Sequence, residues 1–261
     1  MNRQKVIRYV FPTVAFLGMI ALWEAIVRIN HIPPVILPAP SRIAQTLVKD
    51  WGTLSGSLWV TLTITLEALV AATVGGVFLA LIFAAWRPIE YAFFPFAVIL
   101  QVTPVVSIAP LLLIYLDPRV AVLVCAFLVA FFPILANTAL GLSSVDHNLL
   151  DLFQMYRASR GRQLLWLRIP SALPYFLAGL RIGGGLALIG AIVAEIAAGS
   201  AGQGSGLAFR IVESGYRLNI PRMFAALFLI SVTGVAIFLM TSAISYLLLR
   251  RWHDSARGRE T

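Results

Sequence analysis

Six long apolar runs constrain the fold of this chain more than any other feature of its sequence. A helix that crosses the hydrocarbon core of a bilayer needs about 20 mostly apolar residues and pairs its backbone groups within its own segment. None of the runs alternates with period two, which argues against a transmembrane barrel. We therefore predict an all-α, polytopic membrane protein, a single transmembrane domain over residues 1–261 with spans at residues 10–27, 58–86, 91–116, 120–142, 173–198 and 223–249.

The composition disfavours soluble functions. Apolar residues make up 60% of the chain and charged residues only 12%, whereas an ordinary soluble domain carries about a quarter charged residues. A single core in a chain of this length could not hide so much apolar surface from water. A soluble enzyme and a disordered protein are therefore both poor interpretations of this sequence.

The net charge of +9 is interpreted as a signal of membrane orientation rather than of nucleic-acid binding. Cytoplasmic loops of membrane proteins collect Lys and Arg. With the N-terminus inside, twelve of the basic residues fall on inside segments and seven on outside segments. We therefore expect both termini in the cytoplasm, a first apolar run that is retained as a helix rather than cleaved as a signal peptide, membrane lipid as a partner and no nucleic acid.

The chain lacks the motifs of the common enzyme classes. It contains no GxxxxGK[ST] phosphate loop, and its three histidines lie in different loops without an HExxH pattern or a clustered ligand set. Ser205 lies near glycines, but no span offers it a histidine base. We therefore expect no catalytic residue, no metal site, no cofactor in this chain and no ATP hydrolysis by the chain itself.

The long loop on the predicted inside, residues 143–172, contains two short amphipathic pieces separated by arginines. Asp151 is expected near a helix start, where a carboxylate favours the positive end of the helix dipole. Pro170 and Pro174 are expected to bracket the entry to the fifth span. A short amphipathic helix outside the bundle fits either a groove on a partner protein or the surface of an anionic membrane. The residues alone leave these two alternatives open.

This loop resembles the cytoplasmic signature of the permeases of binding-protein-dependent ABC importers, in which EAA, three residues and Gly precede Pro-x-x-x-Pro. Counted back from Pro170, the acidic position falls on Asp151 and the glycine position on Arg157, so the chain departs from the pattern at both. Gly161 is expected to supply the lost flexibility. The resemblance implies an ATPase-coupling loop that contains Asp151, Leu152, Phe153, Tyr156, Arg157, Ala158, Gly161, Pro170 and Pro174.

Further stretches resemble the branch of nitrate, sulfonate, taurine and bicarbonate permeases. They are LPAPSRI from Leu37, TPVVSIAPLLLIY from Thr103, FFPILANTALGL from Phe131 and LAGLRIGGGLALIGAIVAE from Leu177, and the likeness covers roughly residues 37–251. TLEAL around Glu67 and RASR around Arg157 also resemble permeases for thiamine-pyrimidine precursors and riboflavin. The identity of the transported solute therefore stays open.

The resemblance implies a permease subunit of the bacterial inner membrane that pairs with a second copy of itself. Its further partners would be a cytosolic ABC ATPase, which binds the ATP, and a periplasmic or lipid-anchored binding protein, which delivers a small solute. The alternative function is a self-sufficient secondary carrier or channel, driven by an ion gradient through Glu67 or Glu195. The docking loop argues against this alternative because a carrier needs no such helix.

Small residues form a stripe along the fifth apolar run. Gly179, Gly183, Ala187 and Ala191 recur at spacings of four and lead to Glu195. Such a stripe lets another helix approach closely. That helix belongs either to the dimer seam or the wall of the translocation path, or to the chain's own bundle, and the sequence favours neither alternative.

Ionisable residues inside the apolar runs are candidates for the translocation path. Such residues usually face the bundle interior or a wet cavity because a charge in hydrocarbon is costly. Glu67 and Glu195 are therefore expected to serve either the path or hydrogen bonding within the bundle. Arg181, in the fifth run, is a potential partner for Glu67.

Overall fold

The computed structural model of the chain describes residues 3–199 and 205–250, and every regular element within them is helical. The C-terminal basic residues on which the predicted orientation partly depends, within 251–261, lie outside these ranges. The elements are α1 (Arg3–Ile29), α2 (Pro40–Lys49), α3 (Trp51–Ala85), α4 (Arg87–Val102), α5 (Val105–Tyr115), α6 (Pro118–Ser143), α7 (His147–Met155), α8 (Arg160–Gln163), a π-helical turn (Leu164–Arg168), α9 (Ile169–Ala198), α10 (Leu207–Tyr216) and α11 (Ile220–Leu249).

The predicted all-α membrane architecture is confirmed. Five continuous helical stretches are long and apolar enough to cross a bilayer, and α4 with α5 makes up a sixth. The continuous stretches are Val10–Ile29, Trp51–Ala85, Pro118–Ser143, Arg160–Ala198 and Ile220–Leu249. Each of them overlaps one of the predicted spans.

The fifth span starts earlier than the sequence predicts. Pro170 lies in the first turn of α9 and Pro174 lies inside that helix, so the two prolines do not mark the entry to the span. The π-helical turn comes directly before them and connects α8 to α9 without an extended break. Loop residues 160–172 are consequently part of one helical stretch that reaches Ala198.

The third predicted span, residues 91–116, is not one helix. Its two halves, α4 and α5, meet at an angle of 97°. The break falls at Thr103 and Pro104, which are both extended, with ψ values of 123° and 119°. Proline lacks the N–H that would continue the helix, and it disfavours helical geometry at the residue before it. Pro95 and Pro110, in contrast, lie inside α4 and α5.

The centre of the bundle is formed by α3, α6 and α9, and the most extensive contact is between α6 and α9. Glycines on α9 allow this approach. A Cβ atom on Gly179 would lie 2.8 Å from the Pro133 carbonyl oxygen, and one on Gly183 would lie 2.9 Å from the Ile134 side chain. Helix α1 lies at the periphery, where most of its side chains are exposed.

The two ends of the bundle carry different elements. Helices α7 and α8 follow the end of α6, and we call this end the α7 end. Helices α2 and α10 lie at the opposite end, the α10 end, where α3, α6 and α11 begin and α9 finishes. Because α1 leads into α2 and α11 starts beside α10, both Arg3 and Arg250 belong to the α7 end.

Candidate functional site

Helix α7 stands outside the bundle at the α7 end. The Asp146 carboxylate accepts a hydrogen bond from the Asn148 backbone N–H at 2.9 Å and caps the helix. A carboxylate at this position pairs one of the free N–H groups of the first turn and favours the positive end of the dipole. The expectation that Asp151 lies near the helix start is therefore wrong, since Asp151 is an exposed residue in the middle of α7.

Helix α7 ends in a turn centred on Arg157. The Ala158 N–H donates to the Phe153 carbonyl at 2.9 Å, and the Arg157 N–H donates to the Gln154 carbonyl at 2.8 Å. Arg157 has a φ of 50°. These two bonds and the left-handed residue make a Schellman motif, in which glycine is the usual left-handed residue. The position where the signature has glycine thus keeps the conformation that favours glycine, although it is an arginine here.

Gly161 does not replace the lost glycine. It lies inside α8, and the turn is complete before that helix begins. The Ser159 hydroxyl accepts a hydrogen bond from the Arg162 N–H at 3.5 Å, which is a long N-cap contact. The Gln163 side chain donates to the Ala158 carbonyl at 3.0 Å and holds α8 against the turn. Arg157, and not Gly161, is therefore the residue of this loop that adopts the left-handed backbone conformation.

The segment from His147 to Arg168, which we call the docking segment, exposes large apolar side chains at the α7 end. Met155 and Tyr156 are each 81% exposed and Trp166 is 75% exposed. Phe153 and Ala158 are half-buried. The apolar side chains are accompanied by exposed arginines, at Arg157, Arg160 and Arg162. An exposed apolar surface of this kind is typical of a site that contacts either a partner protein or a membrane.

At the α10 end, a buried carboxylate joins three helices. Glu195, at the end of α9, is only 5% exposed. Thr61 of α3 donates its hydroxyl hydrogen to Glu195 Oε1 at 2.7 Å, and the Ala208 N–H of α10 donates to Glu195 Oε2 at 3.0 Å. The Leu207 N–H donates to the Thr61 hydroxyl at 2.9 Å. We call these four residues the Glu195 cluster.

In the Glu195 cluster, a side chain from the end of α9 caps the start of α10. The N-cap residue of α10 is Gly206, which has no side chain to pair the first N–H groups. A Cβ atom at this position would overlap the Glu195 carboxyl group, so glycine leaves room for it. A cavity of about 40 Å³ borders Glu195, Gly206 and Arg119. Such a volume is large enough for a water molecule beside the carboxylate.

Glu67 and Arg181, which were paired in the prediction, have different partners. Glu67 accepts a hydrogen bond from the Arg119 guanidinium at 2.8 Å, and both side chains are about half-exposed. The Arg181 guanidinium lies 5.8 Å from the centre of the Phe238 ring, a cation–π distance. The predicted pairing is wrong because Arg119, counted as a loop residue, reaches Glu67 from the start of α6.

The small-residue stripe of α9 lies inside the chain. Gly179 and Gly183 face α6 at the close distances given above, and Ala187 and Ala191 are fully buried. No space remains along these four positions for a helix of a second copy. The structure therefore supports intrachain packing for the stripe, and the dimer-seam interpretation is wrong for these residues.

The sequence analysis did not identify the ion pairs at the α10 end, of which Asp50–Arg222 and Arg210–Glu213 are the two with both side chains mostly buried. The Arg222 guanidinium donates to Asp50 at 2.7 Å and holds the pKa of that carboxyl below its usual range. Arg210 donates to Glu213 at 2.8 Å, which lowers the pKa of Glu213. Arg210 also donates to the Ser57 hydroxyl at 2.9 Å. Asp50 and Arg222 are 172 positions apart, and Ser57 and Arg210 are 153 apart, so neither contact leaves a local pattern in the sequence. Arg210 and Glu213, in contrast, are three positions apart, a spacing at which side chains on one helix meet.

Comparison with known proteins agrees with this architecture. The family described as binding-protein-dependent transport system inner membrane component matches residues 72–255. The formylaminopyrimidine transport permease protein ThiX of Halalkalibacterium halodurans is 32% identical over 247 residues, which cover 91% of this chain and 94% of the relative. The riboflavin transport system permease protein RibX of Chloroflexus aurantiacus is 32% identical over 249 residues, covering 93% and 90%.

A solved structure shares the fold. A chain from the crystal structure of an amino acid ABC transporter with histidines superimposes with a TM-score of 0.63 at 18% sequence identity, covering 79% of this chain and 97% of that one. Permeases described for taurine and aliphatic sulfonates are also among the relatives, which confirms the resemblance to that branch. Because the family match and relatives above 30% identity both span most of the sequence, the chain belongs to the inner-membrane components of binding-protein-dependent transport systems and is a permease subunit of an ABC importer.

Proposed function

We propose that two copies of this chain form the path of the importer and that a separate ATPase docks on the docking segment. The observation that carries this proposal is the exposed apolar surface formed by Met155 and Tyr156 at the end of α7 and by Trp166 on the π-helical turn. The bundle leaves this surface uncovered, so a partner protein has a surface to bind. The second alternative, an anionic membrane surface, is tested by the same variants below.

The proposed mechanism transmits motion along one helical stretch. Residues Arg160–Ala198 are continuous over 39 residues, a length of about 58 Å at about 1.5 Å per residue. One end of this stretch belongs to the docking segment, and the other end carries Glu195, which holds α10. Closure of the ATPase subunits on ATP would shift the docking segment and bias the permease pair between inward-open and outward-open states.

In this proposal the chain needs no ATP site, cofactor or metal of its own, because the partner subunit binds and hydrolyses ATP. The sequence contains no phosphate loop that could do so here. We place both termini in the cytoplasm, together with the docking segment. The excess of basic residues on those segments supports this orientation, as does the position of Arg3 and Arg250 at the α7 end.

We propose a small solute, delivered at the α10 end by a binding protein. The relatives at 32% identity are described as transporting formylaminopyrimidine and riboflavin, and those of lower identity as transporting taurine and sulfonates. Nitrogen heterocycles are therefore the first solutes to test, and sulfonates the second. Thermal stabilisation of the partner binding protein by each compound ranks them without a transport assay, because a ligand stabilises the folded state it binds.

The docking proposal is tested by a charge placed in the middle of the exposed surface. Tyr156→Glu should abolish co-purification of the ATPase and reduce ATP-driven uptake at least tenfold, since a buried unpaired carboxylate at an interface costs several kcal/mol. Tyr216→Glu is the matched control, because Tyr216 is 87% exposed at the opposite end of the bundle. The control should retain the ATPase.

Three outcomes decide between the alternatives. Normal uptake by the Tyr156→Glu permease would contradict the docking assignment. Retention of the ATPase together with loss of binding to anionic vesicles would favour the membrane-surface alternative. Uptake by the permease alone in liposomes, driven by an ion gradient, would establish the carrier alternative. The structure gives the carrier alternative little support, because both carboxylates already accept hydrogen bonds within the chain, Glu67 from Arg119 and Glu195 from Thr61.

A further inference from the structure

A polar cavity lies at the α7 end, between the start of α4, the end of α6 and the π-helical turn. Its volume is about 210 Å³. A cavity needs only about 10–15 Å³ to hold one water molecule, so this one has room for a polar group of several atoms. The ionisable residues that line it are Arg87, Arg168, Glu90 and Tyr91, and Ser143 adds a hydroxyl.

The two arginines of this cavity are unpaired. The side chains of Arg87, Arg168 and Glu90 make no hydrogen bond or ion pair with any residue that the structure describes. Arg168 is half-buried, which makes an unpaired guanidinium costly there. Two guanidinium groups against one carboxylate leave the cavity with a net positive charge. The cavity therefore offers donors and charge for an anion.

The two arginines lie at the ends of regular elements beside the cavity. Arg87 is the first residue of α4, so the positive end of that helix dipole also favours an anion there. The π-helical turn ends at Arg168. Such turns are rare and occur frequently at functional sites. The two arginines therefore come to one cavity from elements that are 81 positions apart in the chain.

Aromatic residues indicate where this cavity lies relative to a membrane. Trp86 and Tyr91 flank Arg87 and are 59% and 71% exposed. Trp and Tyr are enriched at the level of lipid headgroups, and α3 ends and α4 begins at this position. Basic pockets between helices at such a level bind the headgroups of anionic lipids.

We propose that this cavity binds a phosphate-bearing anion through Arg87 and Arg168, and that the anion is the headgroup phosphate of an anionic lipid. The guanidinium groups donate to the phosphate oxygens, a geometry that the planar fork of arginine favours. The Tyr91 hydroxyl adds a donor at the same cavity, whereas the Ser143 hydroxyl already donates to the Leu140 carbonyl at 2.9 Å. Because Arg168 also belongs to the docking segment, an occupied site stabilises the base of the segment on which the proposed function depends.

Thermal unfolding of the purified permease in detergent tests this inference. Titration with phosphatidylglycerol should raise the unfolding temperature, and phosphatidylcholine with the same acyl chains should not. Arg87→Gln and Arg168→Gln should each weaken the apparent affinity for phosphatidylglycerol roughly fivefold. Arg162→Gln is the matched control, because it removes the same charge from an exposed position that does not line the cavity. Arg168→Lys, which keeps the charge, separates loss of binding from loss of folding.

Inorganic phosphate at matched ionic strength distinguishes the source of the anion. Stabilisation by phosphate that needs both arginines, with no effect of the lipid, would retain the anion site and assign it to a soluble anion. Equal stabilisation of all variants, or equal effects of the two lipids, would overturn the proposal. The measurement needs neither the ATPase nor a transported solute, so its failure is separate from a failure of the proposed function.

Discussion

At the scale of single residues, the docking segment depends on an arginine in an unfavourable conformation. Arg157 has a φ of 50°, where L-residues other than Asn and Asp are rare. Its side chain is exposed and makes no ion pair with the described residues. The turn at this position is therefore maintained by the backbone bonds of the Schellman motif and not by the arginine side chain.

We expect Arg157→Gly to stabilise this turn. Relief of the left-handed strain, about 1–2 kcal/mol, exceeds the extra backbone entropy of glycine, about 0.5–1 kcal/mol. Hydrogen exchange at the Arg157 and Ala158 amides measures the change, because both N–H groups form the turn. The variant should slow exchange at Ala158 severalfold. Arg157→Ala removes the same side chain but keeps the strain, so equal protection in both variants would contradict this explanation.

Thr61 makes a comparable single-residue contribution at the other end of the molecule. Its hydroxyl donates to Glu195 and accepts from the Leu207 N–H. Thr61→Val keeps the side-chain shape and leaves the Leu207 N–H without its partner. The expected loss is about 1–3 kcal/mol of unfolding free energy, with faster hydrogen exchange at the start of α10.

A threonine two residues along the same helix provides the control for this prediction. Thr63 of α3 bonds only carbonyls of its own helix, at Trp59 and Val60. Thr63→Val should therefore change the unfolding free energy by less than about 0.5 kcal/mol. If the two valine variants lose the same stability, the Glu195 cluster does not hold α10.

At the scale of elements, the helices outside the bundle at the α10 end are held by charged side chains from the spans. Glu24 of α1 accepts hydrogen bonds from the Ser41 N–H and hydroxyl at the start of α2, at 3.0 and 2.7 Å. Glu195 does the same for α10. In both cases the carboxylate pairs N–H groups that the short helix leaves free at its first turn.

The Asp50–Arg222 pair should make the stability of this end depend on pH. The ion pair lowers the pKa of Asp50, so its stabilisation is present above the unfolded pKa of about 3.9 and is lost as the pH falls through the lower folded value. Asp50→Asn should cost about 1–3 kcal/mol at pH 7. The difference from the unmodified chain should shrink below about pH 3.5.

The pH dependence is measured from the unfolding free energies of the unmodified chain and the Asp50→Asn variant, each unfolded by denaturant at pH 7 and at pH 3. Asp117→Asn provides a charge-matched control, because Asp117 is exposed and forms no ion pair with the described residues. The control should lose little stability at either pH. An Asp50→Asn deficit of equal size at both pH values would mean that the charge of Asp50 does not contribute.

At the scale of the whole molecule, the apolar runs of the sequence predict the number and approximate place of the spans. The prediction of one continuous helix is wrong at the third span, because a proline such as Pro104 is compatible with either a kink or a complete break in a helix. The apolar runs also fail at residues 160–172, where a π-helical turn extends the fifth span into the expected loop. Both failures depend on backbone geometry that a hydrophobicity pattern does not encode.

Some features of the candidate site likewise follow from the sequence and others do not. The docking segment follows from the sequence because its apolar residues and arginines lie close together along the chain, although α7 begins at His147, after its N-cap Asp146, rather than near Asp151. The partners of Glu195, Glu67 and Arg181 do not follow, since each lies on another helix at a separation of at least 13 positions.

The sequence by itself determined that this chain is a helical membrane protein with six apolar spans, because bilayer thickness and the demand for paired backbone groups admit few other solutions. Tertiary structure alone decided that the glycine stripe packs within the chain and that Glu195 caps α10. It also decided that Arg87 and Arg168 share one cavity. The physical reason is that such contacts depend on the register between distant helices, which local composition does not specify.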